Sequence, residues 1–187
     1  MLNTTVQAVH RDSQHRFSKQ AVPAIVLEPG LGVVDDAHHG ATVQHRSRVK
    51  ANPHQPNLRQ VHLISADLFA HLTMQGFRVT AGQLGENITL ATAHGLGWRE
   101  LICLPVDTQL QFTQGPVLRL TGLRNPCVQI DNFQKGLFAA MLDKTPDGQQ
   151  VRKTGVMAVV LQGGIVQAGD TVTVQLPSAP HRAMERV

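Results

Sequence analysis

The chain has 187 residues, 42% hydrophobic and 16% charged, which fits one folded domain and excludes an intrinsically disordered chain. The formal net charge is +4, but the basic residues are dispersed, with Arg46, Arg48 and Lys50 as the one local cluster, and six Phe, one Trp and no Tyr offer little for stacking bases. That balance argues against nucleic acid and suits a small anionic ligand.

Taken in chain order, most segments read as short strands. TVQAVH near the N-terminus and AIVLE (24–28) are β-rich, and EPGLG (28–32) is turn chemistry. HRSRVKANPHQPNLRQ (45–60), polar with two prolines, reads as a long surface loop. RQVHLI (59–64) is a strand. With Ser65 as N-cap, ADLFAHLTMQ then sets Leu68, Phe69 and Leu72 on one helical stripe that Gly76 closes. ENITL (86–90) puts Ile88 and Leu90 on one face, and Cys103, among the apolar residues of LICLP, reads as a core thiol.

TQLQF (108–112), VLRLTGL (117–123) and TVTVQL (171–176) alternate with period two, and GVMAVVL (155–161) is apolar throughout, as a fully buried strand is. NFQKGLFAAMLD (132–143) has a helical period that groups Leu137, Phe138, Met141 and Leu142, weakened at Gly136 by about 1 kcal/mol relative to alanine. Asp-Thr twice precedes an alternating strand, in PVDTQLQF and AGDTVTV, as in barrels that restart each strand at a turn. The expected fold is mainly β: a closed or partly closed barrel of short strands with two or three connecting helices. It forms one domain over 1–176, with a loosely ordered tail over 177–187.

No apolar run approaches the ~20 residues that span a bilayer, and the N-terminus lacks the apolar core of a secretory leader. The expectation is therefore a cytoplasmic protein with no membrane contact and two free thiols. The common nucleotide-binding, hydrolase and zinc motifs are absent. DDAHHG (35–40) holds two carboxylates and two imidazoles. Asp36 and His38 would face one way if extended, but the residues alone favour a solvated turn over a metal site. His10, His15, His54, His71 and His94 show no ligand spacing. In TGLRNPCVQI (121–130), Pro126 stiffens the chain before Cys127, and Arg124 is placed to stabilise a thiolate. Local chemistry alone leaves two readings open, a packed core thiol and a functional one.

Six segments in order, RFSK (16–19), LGVVDDAHHG (31–40), NLRQVHLIS (57–65), GQLGENIT (82–89), TGLRNPC (121–127) and GGIVQAGDTV (163–172), resemble the MOSC family, named after the C-terminal domain of molybdenum cofactor sulfurase. The likeness runs from about Phe17 to Leu176. It implies a β-barrel in which Cys127 is the residue that ligates the molybdenum of a pterin cofactor or carries sulfur. It also implies that Lys19, Asn87, Arg124, His38 and His39 line the cofactor site, Lys19 and Arg124 facing a phosphate and Asn87 a pterin edge. Val34 stands where the family usually has glycine. Family members such as the amidoxime-reducing proteins imply an enzyme that reduces N-hydroxylated small molecules with electrons from a partner protein. No iron–sulfur or flavin module and no pyridoxal-phosphate domain is recognisable in this chain. The alternative is a sulfur carrier that takes a Cys127 persulfide from a donor protein. A third reading is a binding module that holds an anionic small molecule through loop 45–60.

Overall fold

The computed structural model describes residues 2–92 and 96–187, apart from the side chains of Arg46 and Ser47. His94 lies outside the described residues. In chain order the elements are β1 (Leu2–Arg11), β2 (Gln20–Val22), β3 (Ala24–Glu28), β4 (Gly32–Val33), α1 (Arg46–Ala51), β5 (Val61–Ser65), α2 (Asp67–Met74), β6 (Ile88–Leu90) and α3 (Trp98–Cys103). They continue with β7 (Gln109–Phe112), β8 (Val117–Leu123), α4 (Gln129–Phe133), α5 (Leu137–Ala140), β9 (Leu142–Lys144), β10 (Gln150–Arg152), β11 (Val156–Gln162), β12 (Gly164–Gln167) and β13 (Thr171–Gln175). Among the described residues no helix is long and apolar enough to cross a membrane.

Eight strands form one sheet in the order β13-β7-β8-β11-β5-β6-β1-β2, and β13 also pairs with β1, so all but β2 close into a barrel. Closure is antiparallel, Leu2 opposite Val174 and Thr5 opposite Thr171. β5 and β6 pair in parallel, with Leu63 opposite Ile88; α2 and the segment after it make the crossover that parallel strands require. β1 reaches three neighbours because its register shifts between Val6 and Ala8, which lets its later half pair with β6 and β2. Strands β12, β3 and β4 form a small second sheet, and β9–β10 a hairpin.

Strand periodicity sets the core. Leu110, Phe112, Leu118, Leu120, Val172 and Val174 point inward from alternating strands. A second cluster, built on Ile64, Leu68, Leu72, Trp98, Leu137 and Met141, lies between barrel and helices. β5 is buried along its whole length because it contributes to both, Leu63 inside the barrel and Ile64 beneath the helices. β11, apolar in sequence, is buried from Val156 to Val160.

The mainly-β barrel is as the sequence predicts, and the local departures have physical causes. The segment read as one helix over 132–143 is two short ones. Gln134 is extended, Gly136 turns left-handed at φ +86°, and Leu142 opens β9. Part of loop 45–60 winds into α1. Ser65 ends β5 and donates its hydroxyl to the Leu96 carbonyl at 3.1 Å, leaving Ala66 at the N-cap of α2. Gly76 closes that helix as expected: Gly76 N–H donates to Thr73 O and Phe77 N–H to Leu72 O, each at 3.0 Å. Cys103 is exposed, not in the core. α3 buries Trp98 and Leu101, and two residues on, about 200° around the helix, Cys103 faces away. The segment after Leu176, expected to be loose, contacts the barrel: Ala183 bridges Pro105, Arg186 bridges Leu123, and Met184, 7% exposed, joins the barrel core.

Candidate functional site

β8 runs directly into the segment that holds Arg124 and Cys127. Its last residue, Leu123, donates to Glu185 O, Arg124 N–H donates to Gly155 O, and the Thr154 hydroxyl donates to Arg124 O at 2.5 Å. Pro126 is buried, and the Cys127 carbonyl accepts Ile130 N–H to start α4. Cys127 is thereby held half-buried at the wall of a cavity of about 290 Å³, its Sγ 3.7 Å from Gln129 Oε1.

Lys19, His38, Asn87 and Arg124 line the same cavity. His39 does not: its Nε2 lies 2.9 Å from Glu28 Oε2, outside the lining. The residue that gathers the others is Asp36, buried just behind the wall. One carboxylate oxygen pairs with Lys19 Nζ and accepts Asn87 Nδ2 at 3.0 Å; the other accepts the His38 backbone N–H at 3.0 Å and faces His38 Nδ1 at 3.3 Å. The stretch read as a solvated turn therefore points its second carboxylate inward. The left-handed residue of this turn is Asp35 at φ 59°, so Val34 needs no glycine there; its N–H donates to Val26 O at 2.9 Å. Asn87 also braces two walls, accepting His62 N–H at 3.1 Å and donating to His10 O at 3.2 Å.

Local sequence reading missed Arg59, His62, His15 and His45, which also line the cavity. Arg59 and His62 lie in NLRQVHLIS, so the ordered-segment signal covers them, but no local spacing marks either one. Burial pushes the Arg124 guanidinium below its ordinary range, and burial together with the Arg124 and Arg48 charges brings Arg59 to about 10. Burial and the same surrounding cations lower His45 to about 4. Burial also lowers Lys19, against the pull of Asp36. Among the described residues, the buried atoms Arg124 NH1 and Arg59 Nε have no hydrogen-bond partner and no Asp or Glu lines the cavity. A buried guanidinium nitrogen with no acceptor is costly, so this wall suits an anionic group with acceptor oxygens. A thiol beside it suits a soft or thiophilic metal. Among the described residues, no three His, Cys, Asp or Glu side chains group to hold a metal ion by themselves, so a metal here needs a ligand that brings donors of its own.

Solved structures share the fold. The YUAD protein from Bacillus subtilis is 19% identical, with 94% of this chain and 97% of that one covered and a TM-score of 0.73. YiiM from Escherichia coli is 14% identical, with coverage of 97% and 74% and a TM-score of 0.63. YiiM from Geobacillus stearothermophilus is 13% identical, with coverage of 96% and 79% and a TM-score of 0.64. At these identities the likeness shows a shared fold alone. No curated protein matches the sequence significantly. The model of the MOSC domain matches residues 35–173, from the turn that carries Asp36 to the strand that closes the barrel, and the chain belongs to the MOSC domain family.

Proposed function

We propose that the cavity binds a molybdenum–pterin cofactor with Cys127 as the protein thiolate ligand, and that the loaded protein reduces N-hydroxylated small molecules with electrons from an external donor protein. The observation that carries this reading is the pair of arginines, each with a buried nitrogen that has no hydrogen-bond partner, beside a thiol in a cavity that no carboxylate lines among the described residues. Lys19 is neutralised by Asp36, so the arginines of the wall, Arg124 and Arg59 with their unsatisfied buried nitrogens first, hold the cofactor phosphate. Asn87 and Asp36 keep the walls in place. The bound group supplies two-electron chemistry at a metal; the chain binds it, orients it and keeps bulk water from it. Both cysteines are free thiols, and we place the protein in the cytoplasm, where thiols persist.

One observation favours a sulfur carrier instead: Cys127 keeps some exposure, with its Sγ 3.7 Å from Gln129 Oε1 at the cavity wall, so a persulfide has room there. The deciding experiment is expression in a host that makes molybdopterin, with metal measured by mass spectrometry. Molybdenum approaching one per chain in wild type and lost in Cys127→Ala supports the cofactor reading. No molybdenum in wild type overturns it. Added sulfur mass after incubation with a cysteine desulfurase, absent in Cys127→Ser, then supports the carrier.

A further inference from the structure

We propose that His38 delivers the proton that lets the N–O bond of a bound substrate break, with Asp36 as the residue that orients it. The proposal rests on the reductase reading above. Reduction of N–OH to N–H and water takes up two electrons and two protons. The N–O bond breaks, one proton leaves with the hydroxyl as water, and the other ends on nitrogen. The electrons come through the cofactor from a reduced flavoprotein or iron–sulfur protein. Hydroxide is a poor leaving group, so a positioned acid near the oxygen lowers the barrier; such a group contributes roughly 10²–10⁴-fold.

Few cavity residues can serve. Among the described residues no carboxylic acid lines the wall, Lys19 is held by Asp36, and Arg59 and Arg124 keep their protons across the working range. His62 is buried with Nε2 fixed on Thr154 O at 2.7 Å, His15 Nε2 lies 2.8 Å from Gln44 O, and burial with the neighbouring arginine charges lowers His45 to about 4 with no carboxylate to orient it among the described cavity residues. His38 differs because a buried carboxylate stands behind it. Asp36 Oδ1 faces Nδ1 and also takes the backbone N–H, while Asn57 Nδ2 donates to the His38 carbonyl at 2.9 Å. The residue is gripped from both sides, and the carboxylate fixes the tautomer with Nδ1 protonated and Nε2 left for the cavity.

The ring is also placed to be resupplied. His38, 26% exposed at its side chain, meets the exposed His15 edge-on with centroids 5.3 Å apart, and His45 lies 6.0 Å away. These imidazoles lead from the inner wall to solvent. Burial lowers the His38 pKa, as do the Lys19 and His15 charges, against the pull of Asp36. A proton taken up at Nε2 is thus readily passed on, and the rate rises as pH falls toward that lowered value.

The test compares wild type with His38→Gln, both loaded with cofactor and assayed on benzamidoxime with dithionite-reduced methyl viologen. The expected result is equal molybdenum content, a KM within a factor of two, a kcat lower by about 100-fold or more, and loss of the acid-side rise in rate. In metal-free protein, ¹⁵N NMR of the imidazoles reads His38 directly: Nδ1 carries the proton at neutral pH, and Asp36→Asn shifts that resonance. Molybdenum lost in parallel with activity in His38→Gln overturns the proposal, because His38 then holds the cofactor. So do an unchanged kcat and pH profile, or an Nε2–H tautomer. His38→Asn serves as second variant if the melting temperature of His38→Gln falls. Wild type that loads no metal defeats the cofactor reading itself and the proposal with it. Wild type that loads while His38→Gln behaves identically defeats the proposal alone.

Discussion

The Asp36 carboxylate engages Lys19, Asn87 and His38 together, so three of the residues lining the cavity take their positions from a group that does not line it. The Lys19 side chain is 5% exposed and that of Asp36 not at all. Removing the acid leaves a buried ammonium without its ion-pair partner, and Asp36→Ala is expected to cost about 3–5 kcal/mol in a denaturant melt. The pH dependence follows with a definite sign. Burial by itself pushes the Asp36 carboxyl up, but its hydrogen bonds with His38 and the Lys19 charge hold it well below the carboxylate range. The folded chain therefore binds this proton more weakly than the unfolded one. The contribution is complete above the unfolded value of about 3.9 and is lost as pH falls toward the folded value. A stability–pH curve for Asp36→Ala should lack that acid limb. The same scale gives a ligand test. Inorganic pyrophosphate at 100 times its dissociation constant stabilises the fold by about 2.7 kcal/mol, and Arg124→Gln should abolish the rise in melting temperature. Of these residues, Lys19, Asn87, Arg124 and His38 were legible through an ordered set of motifs. The hub was not, because its partners Lys19 and Asn87 lie 17 and 51 positions away in sequence.

Strands were readable from the chain because an alternating pattern such as TQLQF states which face is buried, and Leu110 and Phe112 are buried as it requires. Helices were read less well because each is short and takes its stability from the barrel rather than from its own sequence. Gly136 shows the difference. In sequence it weakened one helix; in the fold, at φ +86°, it separates two, with Phe77 the nearest group at 3.7 Å. A side chain fits there sterically but strains the backbone, so Gly136→Ala should cost about 1–2 kcal/mol without merging α4 and α5, as helix content by circular dichroism will show. Cys103 makes the complementary case. Apolar neighbours suggested burial, yet a helix of six residues buries one stripe and Cys103 is off it. A thiol reagent should therefore label Cys103 in native protein, and Cys103→Ser should change stability by no more than about 0.5 kcal/mol.

At the scale of the whole molecule, the cavity wall depends on the chain's last residues. The final segment carries no alternation or helical period, and nothing in its composition marks Met184 as part of a core. Its role comes from where it lands. Leu123, the residue before Arg124, donates its N–H to Glu185 O and accepts Val187 N–H at 3.2 Å. On the other side, Thr154 and Gly155 hold Arg124. The strand end that presents Arg124 and Cys127 is thus clamped between β11 and the tail. Gly122 permits the clamp: a Cβ there would collide with the Glu185 carbonyl oxygen and stand 2.6 Å from Val187 Cγ1. Gly122→Ala therefore separates two possibilities that deletion of the tail would confuse. If the tail merely covers the barrel, the variant loses stability evenly and Cys127 reacts with a thiol reagent as in wild type. If the tail positions the site, displacing it frees Leu123, raises the reaction rate of Cys127 several-fold and weakens pyrophosphate binding. Hydrogen exchange in β1, β6 and β13, remote from Leu123 in the barrel order, should then stay slow. The second outcome is expected, because both backbone groups of Leu123 pair with the tail and the next residues in the chain are the cavity wall.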